Sequence, residues 1–525
     1  MIETRIVGDE TARRAPASMS ADAIRALSAV ALAGEIRRGA VTAAAAVEAY
    51  IEKLEAVNPA LNALVVRRFD EARAEARAVD RRRAAGEALG PLAGVPVTIK
   101  ECLDLAGTPS TFGIPSRRST NAGADERHVA RLRAAGAIVL GKTNVAQLLF
   151  MIETDNPLYG RTNNPHAAER SAGGSSGGEG ALLAAGATAL GLGTDIGGSV
   201  RVPAAFCGVV GFKPTTGRCD DLGRFSVPVG QRAIASQVGV LGRSVGDVAV
   251  GLEIINGGRA PAQDGSLAPA MPLGDPASVD VSKLRVAVYD DDGTFRPSPA
   301  VRRAVAESAA ALATRGASVT AWSPPDVAEA RNLFYGILAA DGFAGGRRAL
   351  GNDKRDRRIA RMAMGVERPR LLGVLLGLSG RRRLKREIVA NYGHADADHY
   401  WQLVERTLAY RERFLRALYG FDVILCPAVA LPAFRHGAAE ELVLAGAYTC
   451  LYNVLGWPAG VLPVTRVRAG EESDRAPSKD PMDRAASEAE RGSAGLPIAV
   501  QIAARPWRED LALAVMSALE RPVVS

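Results

Sequence analysis

Short apolar runs and apolar positions at helical spacing alternate along most of the chain. The runs are bounded by glycine, proline or polar residues and predict buried β-strands, while apolar residues three and four positions apart predict the helices between them. The predicted strands are 95–100, 137–140, 206–212, 284–289, 423–426, 460–465 and 496–502. The predicted helices in this part are 124–135, 144–151, 299–314 and a terminal helix from Glu509. The pattern predicts an α/β fold with a largely buried sheet.

Three stretches depart from this alternation. Residues 20–84 are alanine-rich and helical in pattern, with Ser20 as a helix cap and a break at Asn58-Pro59. The stretch 325–420 is mainly helical, whereas 467–494 is charged and poor in apolar residues, which is typical of a surface loop. We therefore expect a flexible arm at 1–20 and a single domain at 21–525, divided into N-terminal helices at 21–90, a catalytic core at 91–260, a helical insertion or cap at about 325–420 and a surface loop at 467–494.

Composition and charge exclude several classes of function. The net charge of +8 is spread along the chain, and no basic segment is interleaved with aromatic residues, so nucleic-acid binding is not expected. The five cysteines lack CxxC spacing and the five histidines form no HExxH motif, which argues against a disulfide framework and a metal site. Neither a signal peptide nor an apolar run of about 18 residues is visible, so a cytoplasmic location is expected.

The most unusual stretch is 171–203, in which two serines sit inside glycine frames. Ser175 lies within GGSSGG and Ser199 within DIGGSVR, 24 residues apart. Glycine loses the most backbone freedom on folding, so its concentration here indicates that the backbone approaches a ligand or itself closely. Amide N–H groups crowded around a serine are what acyl transfer needs. Ser199 is our candidate nucleophile, and Ser175 its partner.

Two generic motifs compete with this interpretation. Residues 136–143 fit the P-loop pattern, but the residues between the two glycines are Ala-Ile-Val-Leu, which predict a buried strand rather than an anion cradle. Residues 173–177 fit the GxSxG nucleophile elbow, but the preceding segment is loop-like and the downstream histidines have no supporting context. Neither motif is expected to function here.

Lys100 is the candidate base. The chain has few lysines among its 65 basic residues, and Lys100 ends the apolar strand PVTIK. A lysine base needs a pKa lowered from about 10.4 to about 7–8, which burial or neighbouring positive charge can supply. The alternative is a lysine that extends from a strand end to solvent.

Taken together, Lys100, residues 173–178 and residues 194–203 resemble the amidase signature family. Within that family the sequence is most similar to the fatty acid amide hydrolases, as residues 95–102, 174–180, 192–199, 451–460 and 495–501 indicate. The resemblance implies a large mixed central β-sheet covered by helices on both faces. Glu179 and Ile196 depart from the tRNA-dependent amidotransferase branch. An enzyme like the glutamine-dependent amidotransferases, acting with partner subunits, therefore stays as the alternative.

The resemblance also implies a mechanism. Ser199 would form an acyl-enzyme, a cis-bonded Ser175 would relay protons, and Lys100 would act as the base. The backbone N–H groups of Ile196, Gly197, Gly198 and Ser199 would form the oxyanion hole, and Leu149 aligns with an acyl-pocket position. Asp195 and Arg201 are expected to form a structural ion pair. The substrate would be a small amide, fatty-acyl or otherwise hydrophobic, hydrolysed to an acid and ammonia or an amine without a cofactor.

The partners expected beyond the substrate are a membrane surface and a second copy of the chain. Residues 371–378 are apolar and are followed by the basic block 381–386. Eight residues cannot span a bilayer, but they can lie in its interface with arginines at the phosphates. The resembled hydrolases carry a membrane-facing cap in this part of the chain. The sequence thus predicts either peripheral membrane contact through 371–386 or a core helix with a solvated basic end.

Overall fold

The structure, a computed structural model, describes residues 19–219, 230–256, 271–367 and 393–520. Eleven of its strands form one sheet and two form a small hairpin. The strands are β1 Leu64–Arg67, β2 Pro96–Lys100, β3 Ile138–Thr143, β4 Asn163–Asn164, β5 Ala167–Ser171, β6 Leu190–Asp195, β7 Val210–Lys213, β8 Gln237–Gly242, β9 Arg285–Val288, β10 Ser318–Ala321, β11 Val423–Pro427, β12 Ala459–Arg466 and β13 Pro497–Ala504.

Helices occupy most of the chain between these strands. The α-helices are α1 Ala21–Ala26, α2 Ala29–Arg38, α3 Ala43–Leu61, α4 Phe69–Ala84, α5 Arg127–Ala134, α6 Gly177–Ala184, α7 Arg201–Cys207, α8 Val245–Ile255, α9 Pro299–Thr314, α10 Val327–Ala339, α11 Ala344–Leu350, α12 Arg357–Glu367, α13 Ala397–Ala417, α14 Ala447–Val454, α15 Pro481–Glu490 and α16 Glu509–Leu519. Short 3-10 helices lie at Pro115–Ser119, Gln147–Leu149, Pro276–Ser278, Val281–Lys283 and Val443–Gly446.

The large sheet is mixed and runs in the order β1-β3-β2-β6-β8-β7-β12-β13-β11-β9-β10. Strand β2 is parallel to both β3 and β6, whereas the neighbours from β6 to β11 along the sheet are antiparallel. Every residue of β2, β6 and β13 is buried. Since successive side chains of a strand point to opposite faces, burial along the whole strand means that both faces are covered. The predicted α/β fold with a large mixed central sheet is confirmed.

Most of the predicted strands and helices are confirmed, but one helix, the start of one strand and one helix break are wrong. The predicted helix 144–151 is reduced to the 3-10 turn Gln147–Leu149, because Leu148 and Leu149 adopt left-handed backbone angles with φ of 54° and 62°. The predicted strand 206–212 begins only at Val210, since α7 continues to Cys207 and ends on left-handed Gly208. The break at Asn58-Pro59 is absent: α3 runs to Leu61, and the Asn58 side chain accepts the N–H groups of the two residues that start the next segment.

The expected surface loop at 467–494 also needs correction, because it contains α15. The side chain of Asp480 accepts the N–H of Met482 at the start of this helix, and a proline occupies its first turn, both of which favour helix initiation. Met482, Ala486 and Ala489 are buried along one side. Three small or flexible apolar residues at helical spacing are enough to hold an otherwise charged helix against the protein.

The topology brings the glycine-rich segments to the end of Lys100's strand. Strands β2 and β6 are parallel neighbours, with Val97 paired to Leu190 and Ile99 to Leu192. Their carboxyl ends, Lys100 and Asp195, therefore lie at the same edge of the sheet. The turn that carries Ser175 leads directly into α6, which packs on β2, β3 and β6. Among the residues described, no helix is long and apolar enough to cross a membrane. The predicted membrane segment 371–386 lies outside those residues.

Candidate active site

Lys100 is fully buried at the end of β2 and directed at Ser175. Its Nζ donates to Ser175 Oγ at 2.8 Å and to Thr194 Oγ1 and the Thr194 carbonyl oxygen at 2.9 and 3.2 Å. Thr194 belongs to the neighbouring strand β6. The alternative of a lysine extending to solvent is therefore wrong, and the side chain is held between two strands and the Ser175 turn.

Ser175 lies in a buried turn between β5 and α6. The peptide bond between Gly174 and Ser175 is cis, as the resemblance implied. Gly173 has a φ of 79°, in the left-handed region that favours glycine. A Cβ at Gly174 would lie 2.5 Å from the backbone nitrogen of Glu153, so glycine is required for this close approach. The glycine frame thus lets the turn pack directly on a neighbouring loop.

Ser199 sits where the loop after β6 enters α7, and it is 8% exposed. Its carbonyl oxygen accepts the N–H of Ser176 at 3.2 Å, which joins the loop to the residue next to Ser175. The two serine frames, 24 residues apart in sequence, are therefore in direct backbone contact. The three sequence-predicted residues Lys100, Ser175 and Ser199 converge on one region.

The predicted oxyanion loop, Ile196 to Ser199, is held at its Gly197 and Gly198 positions. The carbonyl of Gly197 accepts from Thr449 Oγ1 at 2.8 Å and from the thiol of Cys450 at 3.4 Å. The N–H of Gly198 donates to Asp195 Oδ1 at 2.8 Å. The Gly198 N–H therefore already has an acceptor, and its assignment as an oxyanion donor is corrected. The assignment of the Ile196, Gly197 and Ser199 N–H groups as oxyanion donors stays a prediction.

Asp195 and Arg201 form the expected structural ion pair, which is buried and holds both ends of the predicted oxyanion loop. Arg201 Nε and NH2 donate to the two carboxylate oxygens of Asp195 at 3.0 and 2.9 Å, and NH1 donates to Gln501 Oε1 at 2.8 Å. Burial alone would raise the pKa of Asp195, but the charge and hydrogen bonds of Arg201, with a bond from Asn453, hold that pKa well below its usual range. Asp195 is thus a charged structural group that also orients the Gly198 N–H.

Glu179 is a buried acid that the sequence marked only as a subfamily difference. Its Oε2 and Oε1 accept from Thr98 Oγ1 and Thr143 Oγ1 at 2.6 and 2.9 Å, which ties α6 to β2 and β3. Burial raises the pKa of Glu179 to about 8, against the opposing effects of these bonds and of the Lys100 charge. The sequence feature that could have identified Glu179 is that it is the single acidic residue in a helix otherwise made of Gly, Ala and Leu.

Apolar side chains lie beside the predicted oxyanion loop. The ring of Phe334 lies 2.7 Å from where a Cβ of Gly197 would be, so it covers that side of the loop. Leu149 and Ile196 are only partly buried. Phe150, next to Leu149, contacts Phe343 with ring centroids 5.9 Å apart. The role of Leu149 in an acyl pocket stays a prediction.

Neither competing motif forms the site that its pattern suggests. Residues 138–143 form the buried strand β3, and Lys142 Nζ donates to Ser110 Oγ and the Pro109 carbonyl, so this segment is no phosphate-binding loop. His436, one of the downstream histidines, contacts Glu153 at 3.1 Å rather than Ser175. The portions of the chain that the structure covers contain no group of three or more His, Cys, Asp or Glu residues able to hold a metal ion.

Comparison with known proteins agrees with this arrangement. Residues 45–513 match the Amidase family. The chain is 36% identical over 503 residues to fatty-acid amide hydrolase 1 of Sus scrofa, covering 93% of this chain and 84% of that protein. A solved fatty acid amide hydrolase superposes with a TM-score of 0.82 at 26% identity, over 95% of this chain and 85% of that chain.

The amidotransferase branch is represented as well. The chain is 33% identical over 449 residues to a subunit of the glutamyl-tRNA(Gln) amidotransferase of Synechococcus sp. (strain CC9605), covering 83% of this chain and 89% of that protein. The family match spans most of the chain, and the relatives in both branches cover more than two thirds of it. The chain therefore belongs to the amidase signature family and is an enzyme that hydrolyses amide C–N bonds.

Proposed function

We propose that this enzyme hydrolyses hydrophobic carboxylic amides through a Ser199 acyl-enzyme, with Ser175 and Lys100 as its proton relay. One observation carries the proposal: Lys100 Nζ lies 2.8 Å from Ser175 Oγ in a buried turn whose next residue is hydrogen-bonded to Ser199. A serine hydroxyl is a weak nucleophile unless a positioned base accepts its proton. Lys100, reached through Ser175, is suitably placed to be that base once its amine has lost a proton.

In the acylation step, Ser199 Oγ attacks the amide carbonyl carbon as its proton passes to Ser175 Oγ and the Ser175 proton passes to Lys100 Nζ. The carbonyl π electrons move to oxygen, which accepts from the N–H groups of Ile196, Gly197 and Ser199. The oxyanion then re-forms the C=O bond as the C–N bond breaks, and the proton on Lys100 passes through Ser175 to the leaving nitrogen, which leaves an ester on Ser199. Water then attacks the carbonyl carbon of this ester while its proton passes through Ser175 to Lys100. The acid is released as the relay returns a proton to Ser199 Oγ.

The loop that forms the oxyanion hole is pre-organised for this chemistry. Asp195 and Thr449 hold the Gly198 N–H and the Gly197 carbonyl by hydrogen bonds of 2.8 Å each. The remaining N–H groups of the loop therefore need little rearrangement when negative charge develops on the substrate oxygen. Such preorganised donors contribute several kcal/mol to acyl transfer, about 3–4 kcal/mol for a single one.

The nucleophile is tested by labelling with a serine-directed fluorophosphonate. We expect Ser199→Ala to abolish both labelling and turnover, and Lys100→Ala to slow both by several orders of magnitude near neutral pH. Labelling and turnover that persist in Ser199→Ala would remove Ser199 as nucleophile. An unchanged rate in Lys100→Ala would remove the base while leaving Ser199 in place.

The hydrophobic substrate class is supported by the apolar side chains beside the oxyanion loop and by the fatty-acid amide hydrolase relatives. It is tested by hydrolysis rates across primary amides of increasing acyl length, with an aryl amide alongside. We expect kcat/KM to rise with acyl length. A maximum at a short acyl chain or at the aryl amide would assign a different substrate class to the same triad.

The amidotransferase relative supports one alternative, in which the chain releases ammonia from glutamine for a partner protein. This alternative requires partner subunits and activity on glutamine. Purified chain that hydrolyses hydrophobic amides alone, as a monomer or homodimer, and is inactive on glutamine would exclude it.

A further inference from the structure

The hydroxyl of Thr154 is hydrogen-bonded to both ends of the turn that carries Ser175. Thr154 is fully buried, and its Oγ1 donates to the carbonyl oxygen of Gly173 at 2.9 Å. The same oxygen accepts the N–H of Gly177 at 2.9 Å. Gly173 and Gly177 lie two residues before and two residues after Ser175. A single hydroxyl therefore closes this turn across its base.

The residue before Thr154 is itself firmly anchored. Glu153 is buried and pairs with Arg358 at 2.9 Å and with His436 at 3.1 Å, and it accepts the N–H of Gly437 at 3.0 Å. Burial would raise the pKa of Glu153, but the His436 bond, the Arg358 charge and the Gly437 N–H lower that pKa below its ordinary value. Glu153 is therefore a charged carboxylate with three partners, and it fixes the backbone from which Thr154 reaches the turn.

The turn and this segment are also in steric contact. A Cβ at Gly174 would lie 2.6 Å from the carbonyl oxygen of Met151, and a Cβ at Gly177 would overlap Thr154 Oγ1. Only glycine at these two positions allows the close approach. The position of Ser175 is thus set by the segment 151–154, which is distant in sequence from Lys100 and from Ser199.

We propose that Thr154 is a positioning residue for amide hydrolysis, whose hydroxyl holds Ser175 within hydrogen-bonding distance of Lys100. The inference rests on the proton relay proposed above. Thr154 touches none of the reacting atoms and acts only through the turn. A relay serine has to meet two partners at once, and a misplacement of about 1 Å at such a site can lower the rate about 100-fold.

Thr154→Val keeps the shape of the side chain and removes the hydroxyl. We expect kcat for a long-chain primary amide to fall about 100-fold while KM changes less than about threefold, because the loss affects proton transfer and not substrate contacts. The rate of fluorophosphonate labelling of Ser199 should fall in parallel. Thr154→Ser restores the hydroxyl, and we expect its kcat to lie within about threefold of the wild-type value.

Thr162→Val is a matched control that distinguishes misplacement of Ser175 from a general loss of stability. Thr162 is also fully buried, and its hydroxyl donates to the Asn62 carbonyl at 2.8 Å and accepts from the Asn144 side chain at 3.1 Å. Thr162→Val therefore loses the same number of hydrogen bonds without touching the ends of the Ser175 turn. We expect it to lower the thermal midpoint as much as Thr154→Val does and to leave kcat within about threefold of wild type.

The inference is overturned if Thr154→Val retains wild-type kcat, or if Thr154→Val and Thr162→Val lower kcat equally. If Thr154→Val does not fold in a thermal melt, Gly177→Ala takes its place, because the added methyl displaces the Thr154 hydroxyl while leaving Thr154 intact. A wild-type kcat in folded Gly177→Ala would equally overturn the inference. Failure of the relay itself is seen separately, as an unchanged rate in Lys100→Ala.

Discussion

Lys100, Ser175 and Ser199 each depend on a neighbour for the position that chemistry requires. Lys100 lies between Thr194 and Ser175, Ser175 is closed in its turn by Thr154, and the Gly198 N–H beside Ser199 is held by Asp195. The residue types of the candidate triad could be predicted from sequence, because serines in glycine frames and a rare lysine are conspicuous. The supporting threonines Thr194 and Thr154 could not, since a single threonine in a strand or a loop carries no comparable signal.

Glu179 provides a test at the level of a single side chain. Its folded-state pKa of about 8 lies above the ordinary value of 4.5, because burial disfavours the charged form. Between these two pH values the folded state keeps a proton that the unfolded state has lost. The stability contributed by the neutral carboxyl is therefore fully present below about pH 4.5 and is lost as the pH rises through 8.

We expect Glu179→Gln to remove this pH dependence, since an amide does not titrate. Relative to the variant, the wild-type free energy of unfolding should fall by several kcal/mol between pH 5 and pH 9, at about 1.36 kcal/mol per pKa unit. Urea unfolding midpoints of both proteins across this range provide the measurement. Parallel pH profiles for the two proteins would show that Glu179 is ionised in the fold.

At the level of elements, the junction between β6 and α7 is held by a buried ion pair and a network of hydrogen bonds. Asp195 ends the strand, Arg201 begins the helix, and their bidentate pair is extended by Asn453 and Gln501 from α14 and β13. A loop that presents backbone N–H groups to a substrate must not move when charge develops, and a buried network at both of its ends provides that rigidity.

Asp195→Asn is expected to destabilise this junction severely, because it leaves the Arg201 guanidinium buried without its counter-charge. Breaking a buried pair in this way costs about 3–5 kcal/mol. The control is Asp422→Asn, which removes a partly exposed pair with Arg285 and should cost at most about 1 kcal/mol. Thermal and urea unfolding of both variants would reveal the difference. Equal stability of the two variants would contradict the structural role of Asp195.

At the level of the whole molecule, a mixed sheet gathers distant parts of the chain at one edge. Parallel pairing of β2 with β6 places Lys100 beside Thr194, although 94 residues separate them in sequence. Antiparallel pairing then brings β12 and β13 into the same sheet, and with them the Gln501 that contacts Arg201. Apart from the corrected segment 467–494, the division of residues 21–525 into subregions within one domain stays a prediction.

Peripheral membrane contact through residues 371–386 stays a prediction. If residues 371–386 contact a bilayer, the protein should co-sediment with anionic liposomes at low salt, and Leu375→Asp should abolish the association, because a charge in the apolar run 371–378 opposes insertion. Neutral liposomes and high salt provide the controls, since basic side chains contribute through attraction to phosphate groups. No association at low salt would favour a core helix with a solvated basic end.

The sequence by itself determined the α/β architecture, the two serine frames and the lysine, because hydrophobic periodicity and glycine clusters are local patterns. Predictions failed where tertiary contacts outweighed a local preference. The predicted helix 144–151 is interrupted by the left-handed backbone of Leu148 and Leu149, and the predicted loop 467–494 contains the helix α15. Only the tertiary structure decided that the Gly198 N–H donates to Asp195 and that Thr154 closes the Ser175 turn. Such choices depend on which polar groups are buried together, and that is settled by packing between segments far apart in the chain.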